Sequence, residues 1–223
     1  MRRGWVAIFR KEIRSEIRQK SGLATTLLFG IFTVVTISFA TFDLKISPQL
    51  GAGLLGVALL FAAIVGLPRV VLIEEEQGTG DLLRLLAKPE DVFWGKALYN
   101  LAFMVATTLV VSVLFFGFTH LGVANLPLLM LCLAGSCMAY AGTVTLCGAL
   151  VTHASNRTTL AGVLAVPLLL PLSFMAVAGL RVALDVEGTF SFSRGMSSGI
   201  GLALYGLASL SVGSYLFAAV WRR

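Results

Sequence analysis

The sequence predicts an all-α integral membrane protein with six transmembrane helices. Residues 97–156 contain no Asp, Glu, Lys or Arg. Four shorter charge-free stretches cover residues 21–42, 46–68, 158–180 and 195–221. A helix rises about 1.5 Å per residue, so roughly 20 apolar residues cross a hydrocarbon core about 30 Å thick. The long stretch therefore holds two spans, which separate near residues 120–127, and each shorter stretch holds one.

Composition and charge placement point to the same class and give an orientation. The chain is 57% hydrophobic and 13% charged, with a mean hydropathy of +0.91, whereas a soluble domain has about 25% charged residues. Fourteen of the 17 Lys and Arg residues lie before span one, after span six, or between spans two and three or four and five. The positive-inside rule therefore places both termini in the cytoplasm. The net charge of +6 follows from this topology and does not indicate nucleic-acid binding.

The predicted elements follow in chain order. Residues 1–22 are expected to form an interfacial amphipathic helix, because Trp5, Phe9, Ile13 and Ile17 recur at every fourth position among basic residues. Such a helix lies in the headgroup region with its bases near anionic membrane lipids. The predicted spans cover about residues 23–42, 50–73, 97–121, 127–151, 159–180 and 196–220.

Small residues in two spans are spaced for close helix packing. Gly135 and Ala139 stand four apart in span four, and Gly195 and Gly199 stand four apart in span six. This spacing lets helix backbones approach each other. The packing can lie within one subunit or across a dimer, and the sequence favours the first.

The most polar part of the chain is residues 74–96, between spans two and three, which we call the coupling segment. Its Leu82, Leu85 and Leu86 share one face of a short helix that is bounded by glycines and by Pro89. A short helix joined firmly to two spans is suited to contact another protein, with leucines in a groove and acidic residues setting the register. The alternative interpretation is a solvated loop that only obeys the topology.

The sequence contains no catalytic motif that we can identify. Gly95-Lys96 lacks the earlier glycine and the following Ser or Thr of a phosphate-binding loop. Ionisable residues stand at the ends of the spans, which weakens the hypotheses of an ion-coupled carrier and of an intramembrane hydrolase. His120 and His153 are predicted on opposite sides of the membrane. The three cysteines fall on different faces of span four, so no metal site is predicted.

Three blocks of sequence resemble the CcmB family, the haem-exporter permeases of cytochrome c maturation within the ABC-2-type membrane subunits. The first is the basic start RKEIRSEIR, residues 10–18. The second runs from FAAIVGLPR, residues 61–69, through the Glu- and Gly-bearing segment and LLAKP, residues 85–89, to Gly95-Lys96 and Asn100. The third is PLLLPL, residues 167–172, in span five. With the six-span layout, the resemblance covers nearly the whole chain.

The resemblance implies a single half-sized permease domain over residues 1–223, in the bacterial inner membrane, that is not itself an enzyme. It would comprise the interfacial helix at 1–22, spans one and two at 23–73, the coupling segment at 74–96 and spans three to six at 97–223. A separate cytoplasmic ABC ATPase dimer would contact the coupling segment. The residues assigned to this contact are Glu75, Glu76, Gly78, Asp81, Leu82, Leu85, Leu86 and Pro89.

Further partners are implied by the same resemblance. They are a second permease subunit, other membrane subunits of cytochrome c maturation, and a periplasmic haem chaperone. No covalently bound cofactor is expected; haem is the ligand that is handled, and His120 is its candidate contact because haem iron often takes an axial His. Whether haem passes through the permease or ATP hydrolysis releases the loaded chaperone stays open. The alternatives are an ABC-2-type permease for a lipid, drug or polysaccharide, and a non-transporting membrane scaffold.

Overall fold

The computed structural model describes residues 4–19, 21–42, 44–66, 83, 85–151 and 157–221. This part of the chain forms seven helices and contains no strand. The helices are α1 (Gly4–Gln19), α2 (Ser21–Ala40), α3 (Pro48–Gly66), α4 (Pro89–Thr119), α5 (Leu126–Leu150), α6 (Arg157–Ala183) and α7 (Phe192–Trp221). Most of the coupling segment lies outside the described residues.

The six predicted spans are confirmed as helices. Each of α2 to α7 is long enough and apolar enough to cross a membrane, because its apolar stretch reaches the minimum of about 17 residues that a hydrocarbon core requires. The protein is therefore a multi-pass membrane protein. Among the described helices, α1 alone lacks such a stretch.

Helix α4 starts well before the charge-free stretch that marks span three. It begins at Pro89, with Lys88 extended at its N-cap and Glu90 and Asp91 in its first turn. Proline suits this position because the first N–H groups of a helix have no internal partner, and acidic residues there complement the helix dipole. With 31 residues, α4 is about 46 Å long. It exceeds a hydrocarbon core of about 30 Å by roughly three turns.

The centre of the bundle is the pair α5 and α7, whose backbones touch at glycines. A Cβ atom added to Gly135 would lie 2.7 Å from the carbonyl oxygen of Gly199, and one added to Gly206 would lie 2.6 Å from the carbonyl carbon of Met138. Such contacts leave no room for any side chain. The predicted small-residue motifs therefore pack helices within one subunit. Of the six spans, α5 is the most buried and α2 the least.

Candidate functional site

Part of the coupling segment is held against one end of the bundle by an apolar cluster, which we call the anchor cluster. Its buried members are Ile8, Val92, Phe93, Ala97, Ala149, Leu210 and Phe217. Leu83, Ala87 and Trp221 pack against them. The ring centroids of Phe93 and Phe217 are 5.8 Å apart, and those of Phe217 and Trp221 are 4.8 Å apart. The cluster thus ties the end of the coupling segment to α1, α4, α5 and α7.

Two of the predicted contact leucines point away from this cluster. Leu83, Leu85 and Leu86 are helical, and four-residue spacing puts Leu83 and Ala87 on one side. Leu85 and Leu86 do not pack on the cluster and are 85% and 76% exposed. Burying a side chain of this kind contributes roughly 1.5–3 kcal/mol. A partner that covers Leu85 and Leu86 would therefore gain this free energy on binding.

The predicted contact residues are only partly described. Pro89, the third described member, is half-buried at the first turn of α4. The other predicted residues, Glu75, Glu76, Gly78, Asp81 and Leu82, lie outside the described residues. Sequence reasoning missed the anchoring role of Leu83; its four-residue spacing from Ala87 was the available signal.

Helix α1 packs along the first turns of α4. The Trp5 N–H donates to Asp91 Oδ1 over 3.2 Å. A Cβ atom on Gly95 would lie 2.7 Å from Ile8 Cβ, so the two helices approach closely there. Further along, Glu12 meets Lys96. Because the residue numbers rise together on both helices, α1 runs in the same direction as α4.

The face of α1 that packs against the bundle is rotated about the helix axis relative to the apolar face that the periodicity predicts. Ile8 and Glu12 are buried, whereas Phe9 and Ile13 are half-buried and Ile17 is exposed. The predicted apolar stripe therefore contacts the bundle along one edge only. This contact with α4 is a feature that sequence periodicity did not reveal, since periodicity identifies an apolar face but not the surface it meets.

A buried ion pair fixes α1 on α4. Glu12 Oε1 lies 3.2 Å from Lys96 Nζ, and the side chains are only 7% and 3% exposed. Lys11 reaches the same carboxylate oxygen over 3.5 Å from the exposed side. Burial lowers the pKa of Lys11, while the neighbouring Glu12 opposes that change. Glu12 thus binds one cation inside the α1–α4 contact and another at its edge.

The last acidic residue of α1 joins two spans. Glu16 Oε1 accepts a hydrogen bond from the Leu23 N–H over 2.6 Å. This bond satisfies a backbone donor in the first turn of α2, which has no partner within its own helix. The Tyr99 side chain of α4 lies beside Glu16. Glu16 therefore links the start of α2 to α4.

The opposite face of α1 is basic. Arg10, Lys11, Arg14 and Arg18 are exposed. Both acidic residues of α1, Glu12 and Glu16, instead contact α4. In the described helix the outward face therefore carries only positive charge, which suits an anionic lipid surface.

The candidate haem contact lies at the other end of α4. His120 is exposed and ends the helix in a left-handed conformation with φ 51°, and its N–H donates to Phe116 O. Cys132, Cys137 and Cys147 are buried and free. Within the described ranges, no three His, Cys, Asp or Glu side chains come together as a metal site. His153 lies outside these ranges.

The segment between spans five and six folds onto itself beside the same end. Asp185 Oδ2 accepts hydrogen bonds from the Phe190 N–H, at 2.6 Å, and from the Thr189 hydroxyl, at 3.1 Å. The Arg181 guanidinium lies 4.7 Å from the centre of the Phe190 ring, a cation–π distance. These contacts make the segment a capped turn.

Comparisons with known proteins agree with this architecture. The family model described as "CcmB protein" matches residues 3–217. The chain is also 28% identical over 224 residues to a protein of Bradyrhizobium diazoefficiens named heme exporter protein B, with 97% of this chain and 96% of the relative covered. The family match includes α1 to α6 and all but the last four residues of α7. The chain therefore belongs to the CcmB family.

Proposed function

We propose that this chain is the membrane permease subunit of an ATP-driven complex for haem export, or for release of a haem-loaded chaperone, in cytochrome c maturation. The proposal is supported by the family and by the relative's name. Its location is the bacterial inner membrane, and its partners are a separate ABC ATPase dimer, a second permease subunit, other maturation subunits and a periplasmic haem chaperone.

The observation that carries the ATPase contact is the pair Leu85 and Leu86. Both are exposed, while the neighbouring Leu83 and Ala87 pack on the anchor cluster. A partner that covers the exposed pair therefore pushes on a segment already fixed to four helices. Such an arrangement converts movement of an ATPase dimer into movement of spans.

The handling of haem follows from the charges of the bundle. Haem carries two carboxylates, which need cationic or hydrogen-bonding partners when they leave water. Within the six described spans, the cations Lys96, Arg181 and Arg194 lie near helix ends, and Lys96 is already paired with Glu12. We therefore favour release of the loaded chaperone over passage through this subunit, with His120 as a haem contact at the outer end.

The test compares two exposed leucine sites at opposite ends of the bundle. Leu85→Ser combined with Leu86→Ser should reduce co-purification of the ATPase and lower the yield of mature cytochrome c, since the partner loses its apolar contact. Leu44→Ser, at a residue 60% exposed in the loop after α2, is the control and should change neither.

Two outcomes would contradict the proposal. Full ATPase binding by the double variant would remove the coupling contact. Normal cytochrome c maturation in cells that lack this chain would remove the haem-related role and favour a permease for another substrate. Stimulation of ATPase activity by this chain in vesicles would distinguish a permease, whether for haem or for another substrate, from a non-transporting scaffold.

A further inference from the structure

We propose that the buried Glu12–Lys96 ion pair is a positioning pair that carries movement of the coupling segment, through α1, to the first span. The inference rests on the proposed function, since it needs an ATPase that drives the coupling segment. It assigns a role to α1 beyond membrane attachment.

The first step is that α1 and the start of α4 must move together. The Glu12 and Lys96 side chains are almost inaccessible, and their charged atoms are 3.2 Å apart. Sliding one helix along the other would leave each charge buried without its partner, which is strongly unfavourable. The Trp5–Asp91 hydrogen bond and the Ile8–Gly95 contact lie on the same side of α1. The helix is thus held at three successive points.

The second step is that α1 receives movement from the coupling segment. Ile8 belongs to the anchor cluster against which Leu83 and Ala87 pack. A displacement of those two residues therefore acts on α1 and α4 at the same point. The apolar contact transmits a push, but it has no directional bonds that fix one position of α1 along α4.

The third step is that α1 passes the movement to α2. Glu16 accepts from the Leu23 N–H in the first turn of α2, one turn of helix after Glu12. Glu12 fixes where α1 lies along α4. The hydrogen bond from Leu23 to Glu16 then makes the start of α2 move with α1. Since α2 is the least buried of the spans, it is the span that can shift with the least repacking.

The test uses the whole complex with its ATPase, reconstituted in phosphatidylglycerol–phosphatidylcholine vesicles. Glu12→Gln keeps the shape of the side chain and removes its charge. We expect ATP hydrolysis within about twofold of wild type but a fall of about three- to thirtyfold in haem-loaded chaperone released per ATP, the range for residues on a coupling route. The exchange Glu12→Lys with Lys96→Glu should restore most of that ratio. Lys11→Gln removes the exposed cation on the same carboxylate and is the matched control, expected to keep the wild-type ratio.

A second measurement leaves Glu12 and Lys96 unchanged, so it does not depend on the stability of the ion-pair variants. Spin labels on Arg14→Cys in α1 and Trp94→Cys in α4, both exposed positions, report the distance between the helices while the native cysteines stay buried. The distance should stay constant through the ATP cycle. A change in that distance, a wild-type release ratio in Glu12→Gln, or a loss of hydrolysis and release in equal proportion would each overturn the inference. Failure of the wild-type chain to bind any ATPase would instead contradict the proposed function.

Discussion

The side-chain amide of Asn100 donates a hydrogen bond to the hydroxyl of Thr145 over 2.8 Å, which joins α4 to α5 inside the bundle. The Thr145 hydroxyl in turn donates to the Ala141 carbonyl, one turn earlier in its own helix. Asn100 Oδ1 is buried without a hydrogen-bond partner in the part of the chain that the structure describes. The Asn100 side chain therefore gains one bond in the interior and leaves one acceptor unsatisfied.

This arrangement predicts a modest stabilising interaction. In a double-mutant cycle of Asn100→Leu and Thr145→Val, the coupling free energy should be about 0.6 kcal/mol and should not exceed about 1.7 kcal/mol, as for interhelical hydrogen bonds in membranes. Leucine also removes the unsatisfied acceptor, so the single variant should lose little stability. Reversible unfolding in mixed micelles measures both values. A coupling energy of zero would show that the bond does not stabilise the folded state.

The contact between α5 and α7 predicts a larger effect at Gly206. Gly206→Ala should lower the free energy of unfolding by about 1–3 kcal/mol, because overpacking forces a backbone shift and the atoms nearest the new methyl belong to the backbone of Met138 and Ala139. Gly53→Ala in α3 is the matched control, since nothing lies within 4 Å of its added Cβ. The control should be neutral or stabilising by roughly 0.5–1 kcal/mol. Equal stability of the two variants would contradict the close packing.

The anchor cluster predicts a linked loss of stability and order. Phe217→Ala should cost about 3–5 kcal/mol, as for large aromatic residues in cores. It should also increase amide hydrogen exchange at residues 85–88, since their support on the bundle is reduced. Tyr215→Ala, two residues earlier on the same helix and 80% exposed, should change neither quantity. Unaltered hydrogen exchange at residues 85–88 in the Phe217 variant would show that the anchor cluster does not hold the coupling segment in place.

The basic face of α1 predicts a preference for anionic lipid. Phosphatidylglycerol should raise the thermal stability of the detergent-solubilised protein more than phosphatidylcholine does. The triple variant Arg10→Gln, Arg14→Gln and Arg18→Gln should lose this difference, since each cation near an anionic surface contributes about 1 kcal/mol. Arg194→Gln, an exposed cation in the first turn of α7, is the control. A lipid preference that persists in the triple variant would contradict the prediction.

The membrane spans could be predicted from sequence because the hydrocarbon core imposes a minimum length and excludes charge. The helix ends could not be predicted in the same way. Helix α4 begins at Pro89 and includes Glu90, Asp91 and Lys96, because a helix can continue into water after the membrane ends. The charged first turns of α4 contribute most to the candidate site, but a search for charge-free stretches does not include these turns.

The candidate site could be predicted only in part, for a related reason. Leu85 and Leu86, two of the residues predicted to contact the ATPase, are exposed, whereas the neighbouring Leu83 packs on the anchor cluster. Nothing in a leucine-rich run shows which residue faces the bundle until the bundle is present. The Glu12–Lys96 pair joins positions 84 residues apart, and no local pattern indicates so distant a partner.

The glycine contacts between α5 and α7 also limit how this permease can change shape. With backbone against backbone at Gly135 and Gly206, neither helix can rotate or slide without driving one main chain into the other. The two helices therefore form one rigid unit, and a change of shape must be carried by the helices packed around it.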